Sequence, residues 1–313
     1  MRFKGIPLVV VGVVVGVVVA TPACGSFLTA DDSLADEFAL FKANAGLCLP
    51  QLPVDVDTTL QSATRYRHRA FDAVAHDVVG GGVGLVSYDE LLADPEELTL
   101  LDATLAQLQA VDPRRLAGFS EKLVFWINAY NAIVMRAATR AYASDAAFRP
   151  DDNDFAFFQR REHTINGVVY SLNEIENGVI RGDRTHDDLS GLSNDEWAPF
   201  QQLHDDIWGT EPLDPRIHFL LNCASRSCPG LAPRAWTADT LDDDLDERAR
   251  LYVLDESRGA GPLGISELFF FYFADFDLVG GIDGFIGHYR PLQDVAFERT
   301  LPYDWSLNRA DAS

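Results

Sequence analysis

Apolar positions recur at helical spacing over much of the chain, and the period changes in its second half. Leu34, Phe38 and Phe41 share one face of a short helix within residues 33–48. LPQLPVDVDTT then breaks the pattern with two prolines, as a linker or extended wrap does. The helical period resumes at about residue 63. RYRHRAFDAVAHDVV reads as a helix ending at GGGVG, and Ser87 with Glu90 forms a capping box ahead of SYDELLA. Leu98, Leu101, Leu105 and Leu108 mark one face of the next helix. Residues 119–142 are apolar almost all round, which predicts a long helix running through the core.

Beyond that helix the punctuation differs. EHTI and VVYSL flank Asn166-Gly167, a dipeptide that supplies the positive φ angles of a two-residue hairpin turn. Ser171 and Glu174 make a second capping box, opening SLNEIENGVIR. RIHFLLNCA is apolar and strand-like, and LYVLD with GPLGIS reads as a second hairpin before the aromatic helix SELFFFYFADF. Acidic runs such as DDND and DTLDDDLDE read as solvated loops or helix starts. Helices first, then hairpins mixed with helices, predict an α+β class: a helix-rich single domain over residues 63–313 with a small antiparallel sheet.

The N-terminus has its own logic. Arg2 and Lys4 precede an uninterrupted apolar run from Ile6 to Ala20, followed by TPACGS. That is the layout of a secretory signal, with an apolar run shorter than a comfortable membrane span. The expectation is a lipoprotein-type signal peptide over residues 1–23, with Cys24 acylated as the first mature residue. Residues 24–62 then form a tether with a short helix and a linker. The protein would be exported to the periplasm or envelope and would meet the membrane through that lipid alone.

Charge removes one class of function. The chain has 48 acidic against 25 basic residues, a formal net of −23. Such a field repels phosphate backbones and leaves no basic stripe, which excludes nucleic-acid binding.

The residues able to carry chemistry lie in two phrases. In WINAYNA, Asn128 and Asn131 stand three apart and project to one side of the helix. Two amides in an apolar helix need partners, either loop backbone or a ligand in a cavity. HFLLNCASRSCPG, residues 218–230, holds two of the four cysteines. On a strand over 217–223, alternation puts His218, Leu220 and Asn222 on one face and Cys223 on the other. Cys228, past the turn ASRS, is then the better nucleophile for a His218 base. Three states stay open for the thiols: a Cys223–Cys228 disulfide shaping the turn in an oxidising compartment, a reactive thiol, or free thiols packed in the core. Asn222 beside His218, and Arg226 between Ser225 and Ser227, are candidates for holding a polar or anionic group. Cys-x4-Cys lacks metal-knuckle spacing, and GGGVG has no following Lys-Ser/Thr, so neither a metal nor a cofactor is predicted.

KLVFWINAYNA, NGVVYSLNEIENGVIRG, DPRIHFLLNCASRSCP, ISELFFFYFADF and LPYDWSLN occur here in one order. Together they resemble the bacterial branch of the family called domain of unknown function 547, from about Ala63 to Asn308. The resemblance implies one α+β domain, often exported, with no established activity, substrate or cofactor. Two functional classes follow. The favoured one is an envelope lipoprotein that binds a peptide, glycan or protein partner without catalysis, because no single motif carries a complete catalytic constellation. The alternative is an envelope hydrolase or transferase acting on a small substrate, with Cys228 or Cys223 as nucleophile, His218 as base, and Asn128 or Asn131 orienting or binding.

Overall fold

A computed structural model describes residues 63–80 and 83–310. The signal region, Cys24 and the helix expected within 33–48 lie outside the described residues. The architecture is helix-rich, 56% helical with small sheets, and is α+β.

Its axis is the helix Gly118–Ser144, in which every residue from Leu123 to Met135 is buried. An unbroken buried run needs cover on all sides. Helices Tyr88–Ala93, Pro95–Ala110 and Asn194–Trp208 supply it, together with the helical turn Glu174–Ile180. The Pro95–Ala110 helix starts as its sequence dictates, with Pro95 at the first position and the Asp94 side chain accepting the Glu96 N–H. The capping box expected at Ser87 is not formed, since the Ser87 side chain makes no cap bond. The one at Ser171 is: Glu174 Oε2 accepts the Ser171 N–H at 2.8 Å, and Ser171 Oγ accepts the Glu174 N–H at 3.1 Å.

That box opens a π-helix, Glu174–Ile180, closed by Arg181 N–H donating to the Glu176 carbonyl at 2.9 Å. Wide turns of this kind are rare and gather at functional sites. Gly182, at φ +66°, ends it, and a Cβ there would lie 2.8 Å from the His204 ring. Gly182→Ala is therefore expected to cost about 1–3 kcal/mol through left-handed strain and ring displacement, read as a lower urea midpoint.

The Asn-Gly hairpin is present as expected, pairing His163–Ile165 with Val168–Tyr170 through Asn166 (φ 47°) and Gly167 (φ 73°). Two strand expectations fail. RIHFLLNCA is not a strand: Asp214 accepts the Arg216 N–H, Pro215 fills the first helical position, and Pro215–Phe219 forms a 3-10 helix. LYVLD ends the helix Leu241–Leu254, whose Leu245, Ala249, Tyr252 and Val253 are buried at helical spacing. The hairpin nearby is Ala260–Gly261 with Gly264–Ser266, and Thr300–Leu301 adds to it in parallel. The aromatic segment splits at Tyr272 into helices Leu268–Phe271 and Phe273–Asp277.

Two apolar clusters fill the interior. The larger surrounds the long helix, and the smaller gathers Phe219, Tyr252, Phe269, Phe276 and Phe285. Ile217, Leu220 and Leu221 belong to the first and Phe219 to the second, so this segment stitches the clusters together with His218 at their junction. Among the described residues, no helix is long and apolar enough to cross a membrane.

Candidate functional site

The two amides of the long helix hold loops in place. Asn128 exchanges hydrogen bonds with the Trp236 backbone at 2.9 and 3.0 Å. Asn131 Nδ2 donates to the Leu220 carbonyl at 2.8 Å, and its Oδ1 accepts the Asn222 N–H at 2.9 Å. Asn222 in turn donates to the Pro229 carbonyl and accepts from the Ala224 N–H and from Asn308 Nδ2. Arg226 donates to the Arg309 carbonyl at 3.0 Å. These four candidate binding residues thus bond backbone and one another, and none lines the cavity described next. Their effect is to fix the loop that carries His218 and the thiols.

That loop is fastened from the far end of the chain as well. Asn308 N–H donates to the Ala224 carbonyl, Arg226 N–H to Ser306, and Ser227 N–H to Asp304. Ala224 is held at φ +62°, which reverses the chain directly after Cys223. The expected strand alternation therefore does not apply. His218, Cys223 and Cys228 instead line one cavity of about 690 Å³, with Tyr130, Glu176, Asn177, Arg181 and Tyr272.

The base of this cavity is a charge network. His218 Nε2 lies 2.8 Å from Asp275 Oδ2, and Arg181 Nε lies 2.7 Å from the same oxygen. Arg181 also donates to Asn177 Oδ1 at 2.6 Å and pairs with Asp183 at 3.2 Å. Burial opposes charge on Asp275, but hydrogen bonding to His218 and the Arg181 cation hold its pKa at about 2. Burial is the main force holding the His218 pKa down; Arg181 adds to it and Asp275 opposes it. His218 is then neutral at pH 7, with Nε2–H donating to Asp275. Its ring stacks on Tyr272, with centroids 3.6 Å apart, while the Tyr272 hydroxyl donates to Glu176 at 2.5 Å. That leaves Nδ1 as the lone-pair nitrogen, and it has no hydrogen-bond partner. The fully buried Tyr130 hydroxyl also has no partner of hydrogen-bond geometry.

Both thiols are free in this structure, so of the three states left open for them it does not hold the Cys223–Cys228 disulfide. Cys228 is buried, accepts the Cys223 N–H at 3.0 Å, and donates weakly to the Leu221 carbonyl. Burial pushes its pKa well up, and the neighbouring Cys223 pushes it further. Cys223 is half-buried, with Sγ 3.0 Å from Ser225 Oγ and 3.4 Å from the Tyr303 hydroxyl. Burial resists its ionisation, yet hydrogen bonds with Cys228, Ser225 and Tyr303 bring its pKa below the ordinary thiol value. Of the two thiols, Cys223 is thus the more exposed and the more readily ionised.

Asp275, Arg181, Glu176, Tyr130 and Tyr272 were not foreseen as site residues. One signal was readable: Asp275 is an acid inside an aromatic run, and an acid buried there needs a cationic or hydrogen-bonding partner. A second cleft of about 750 Å³, beside Trp208 and Phe285, is slightly larger. There Arg216 pairs with Asp214 and Tyr289 bonds Asp246, and no thiol lines it. Among the described residues, no three His, Cys, Asp or Glu gather as a metal ion would require.

No curated protein and no solved structure matches the chain. Residues 114–253, which carry the long helix, the π-helix and the cysteine loop, match the family model described as protein of unknown function, DUF547, and this supports placing that stretch in the domain family.

Proposed function

We propose that the chain is a thiol-dependent hydrolase or acyltransferase with Cys223 as nucleophile and His218 as base. Asp275 is a positioning residue. We further propose that it belongs to the bacterial exported branch of the family and works in the envelope, anchored through an acylated Cys24. One observation carries the catalytic reading. Asp275 fixes the His218 tautomer by taking Nε2–H, so an unpartnered Nδ1 lone pair and an activated, half-buried thiol line the same cavity. The non-catalytic reading rested on no single motif being complete. Here the third member arrives from 57 residues away in sequence.

The chemistry follows from these groups. Cys223 and His218 are not hydrogen-bonded to each other in this structure; catalytic hydrogen bonds commonly tighten only with substrate bound. His218 Nδ1 takes the thiol proton, and the thiolate attacks a carbonyl carbon. The buried Tyr130 hydroxyl, which has the Glu176 carboxylate for a neighbour, is the cavity donor that turns to the oxygen that gains charge. The proton on Nδ1 then passes to the leaving group, giving a thioester on Cys223. Water or an acceptor nucleophile releases the acyl group, and His218 is restored.

Nitrophenyl acetate tests this on the purified full-length chain. The expected result is a burst of nitrophenol with one acetyl group mapped to Cys223, retained in Cys228→Ala. His218→Ala is expected to slow it by about 10²-fold or more, the usual share of a general base. Acetyl on Cys228, or a rate at Cys223 indifferent to His218, overturns the reading. A diacylglyceryl mass on Cys24 at the mature N-terminus checks the anchor.

A further inference from the structure

The cavity has two unlike ends. Its deep end holds Cys223, Tyr130 and His218, the last two buried and each with an unpartnered polar atom. Its rim is exposed and built from acids and aromatic rings. Asp154, Asp187 and Asp188 are exposed there, and Glu176 lies further in. Among the described residues, Arg181 is the only Arg or Lys lining the cavity. It is unavailable to a ligand, being bonded to Asp275, Asn177 and Asp183.

The aromatic wall centres on Trp305. Its ring lies 4.9 Å from Phe155, 4.6 Å from Tyr303 and 6.1 Å from Phe271. Phe155 and Phe271 are 37% and 48% exposed, so the wall keeps ring surface for a visitor. Ring faces beside unneutralised carboxylates attract a cation by quadrupole and by charge. A cleft with low-dielectric walls concentrates that field, and the chain's formal charge of −23 reinforces it. An anionic substrate meets the opposite force throughout.

Resting on the catalytic reading above, we infer that the cavity selects a substrate or acyl acceptor that carries a protonated amino group. The ammonium sits at the Trp305 rim, and the reacting carbonyl reaches Cys223. The unpartnered His218 nitrogen, with the Tyr130 hydroxyl beside Glu176, is the polar contact for that carbonyl and its attacking group.

Three probes that share a phenethyl group vary the charge: phenethylammonium, phenethyl alcohol and phenylpropionate. Each is tested for protecting Cys223 against iodoacetamide and, by calorimetry, for binding to Cys223→Ala. Phenethylammonium is expected to protect and bind about five- to tenfold better than the alcohol, with the preference shrinking at high salt. Phenylpropionate is expected to be weakest. Asp154→Asn with Asp187→Asn should erase the preference. Equal protection by ammonium and alcohol, or stronger binding of the carboxylate, overturns the inference. Calorimetry on Cys223→Ala keeps the two claims separable. Ammonium selectivity without acylation sinks only the nucleophile, and acylation without selectivity sinks only the substrate class.

Discussion

Arg181→Met is expected to lower the stability of the chain by about 3–5 kcal/mol and to change how that stability depends on pH. The Arg181 side chain is only 4% exposed and its partner Asp275 9%. Methionine fills a similar volume but leaves the Asp275 carboxylate buried with His218 alone. A buried carboxylate without a cation makes one by drawing a proton onto its neighbour, so His218 is expected to become imidazolium. The sign then follows. A histidine whose folded pKa lies above its unfolded value stabilises below the unfolded value and loses that contribution as pH rises through the folded one. The variant should therefore fall further behind the wild type at alkaline than at mildly acidic pH. Its Nδ1 would carry a proton at neutral pH, and Cys223 acylation should fall with it. Urea midpoints at two pH values, beside acylation rates, check this. A variant within about 1 kcal/mol of wild type at both pH values would show that Arg181 does not hold the network together.

Acid sensitivity beginning well above the carboxylate range is the second large expectation, and it comes from His68. This residue is fully buried at φ +51°, in edge contact with Tyr66 (centroids 4.4 Å apart), and neither ring nitrogen has a hydrogen-bond partner. Burial drops its pKa from 6.5 to about 3. The folded value lies below the unfolded one, so the unfolded chain takes up the proton first. The stability is complete above about pH 6.5 and drains away towards about pH 3, by roughly 5 kcal/mol in all at 1.36 kcal/mol per unit. His218 and His163, both depressed by burial, add in the same direction. Between about pH 6.5 and 4.5 His68 alone should lower the free energy of unfolding by about 1 kcal/mol per pH unit. His68→Asn, a residue that tolerates left-handed backbone, should remove that share of the slope. A wild-type stability flat across this window would refute the assignment.

What could be read early was read from local signals. The Gly118–Ser144 helix announces itself because a run apolar on every face has one stable home, inside other helices. Asn166-Gly167 and the Ser171–Glu174 box succeed because a turn or a cap is decided within four residues. The strand reading at 217–223 failed for a local reason too. The Asp214-Pro215 helix start stands just upstream of the apolar run, and it won over the strand-like composition.

By itself, then, the sequence determined the helical frame, the first hairpin and the phrase that holds His218 with the thiols, since neighbouring residues settle each of these. Tertiary structure alone decided which groups of the candidate site meet. Which sulfur ionises more readily depends on Ala224 turning back at φ +62° and on Ser225 and Tyr303 approaching Cys223. Which acid orients His218 depends on packing the aromatic segment against the 3-10 helix, which brings Asp275 to within 2.8 Å. The reason is physical. A proton's position is set by charge and burial within a few ångströms in space, and residues 57 apart in sequence share no local pattern that records it.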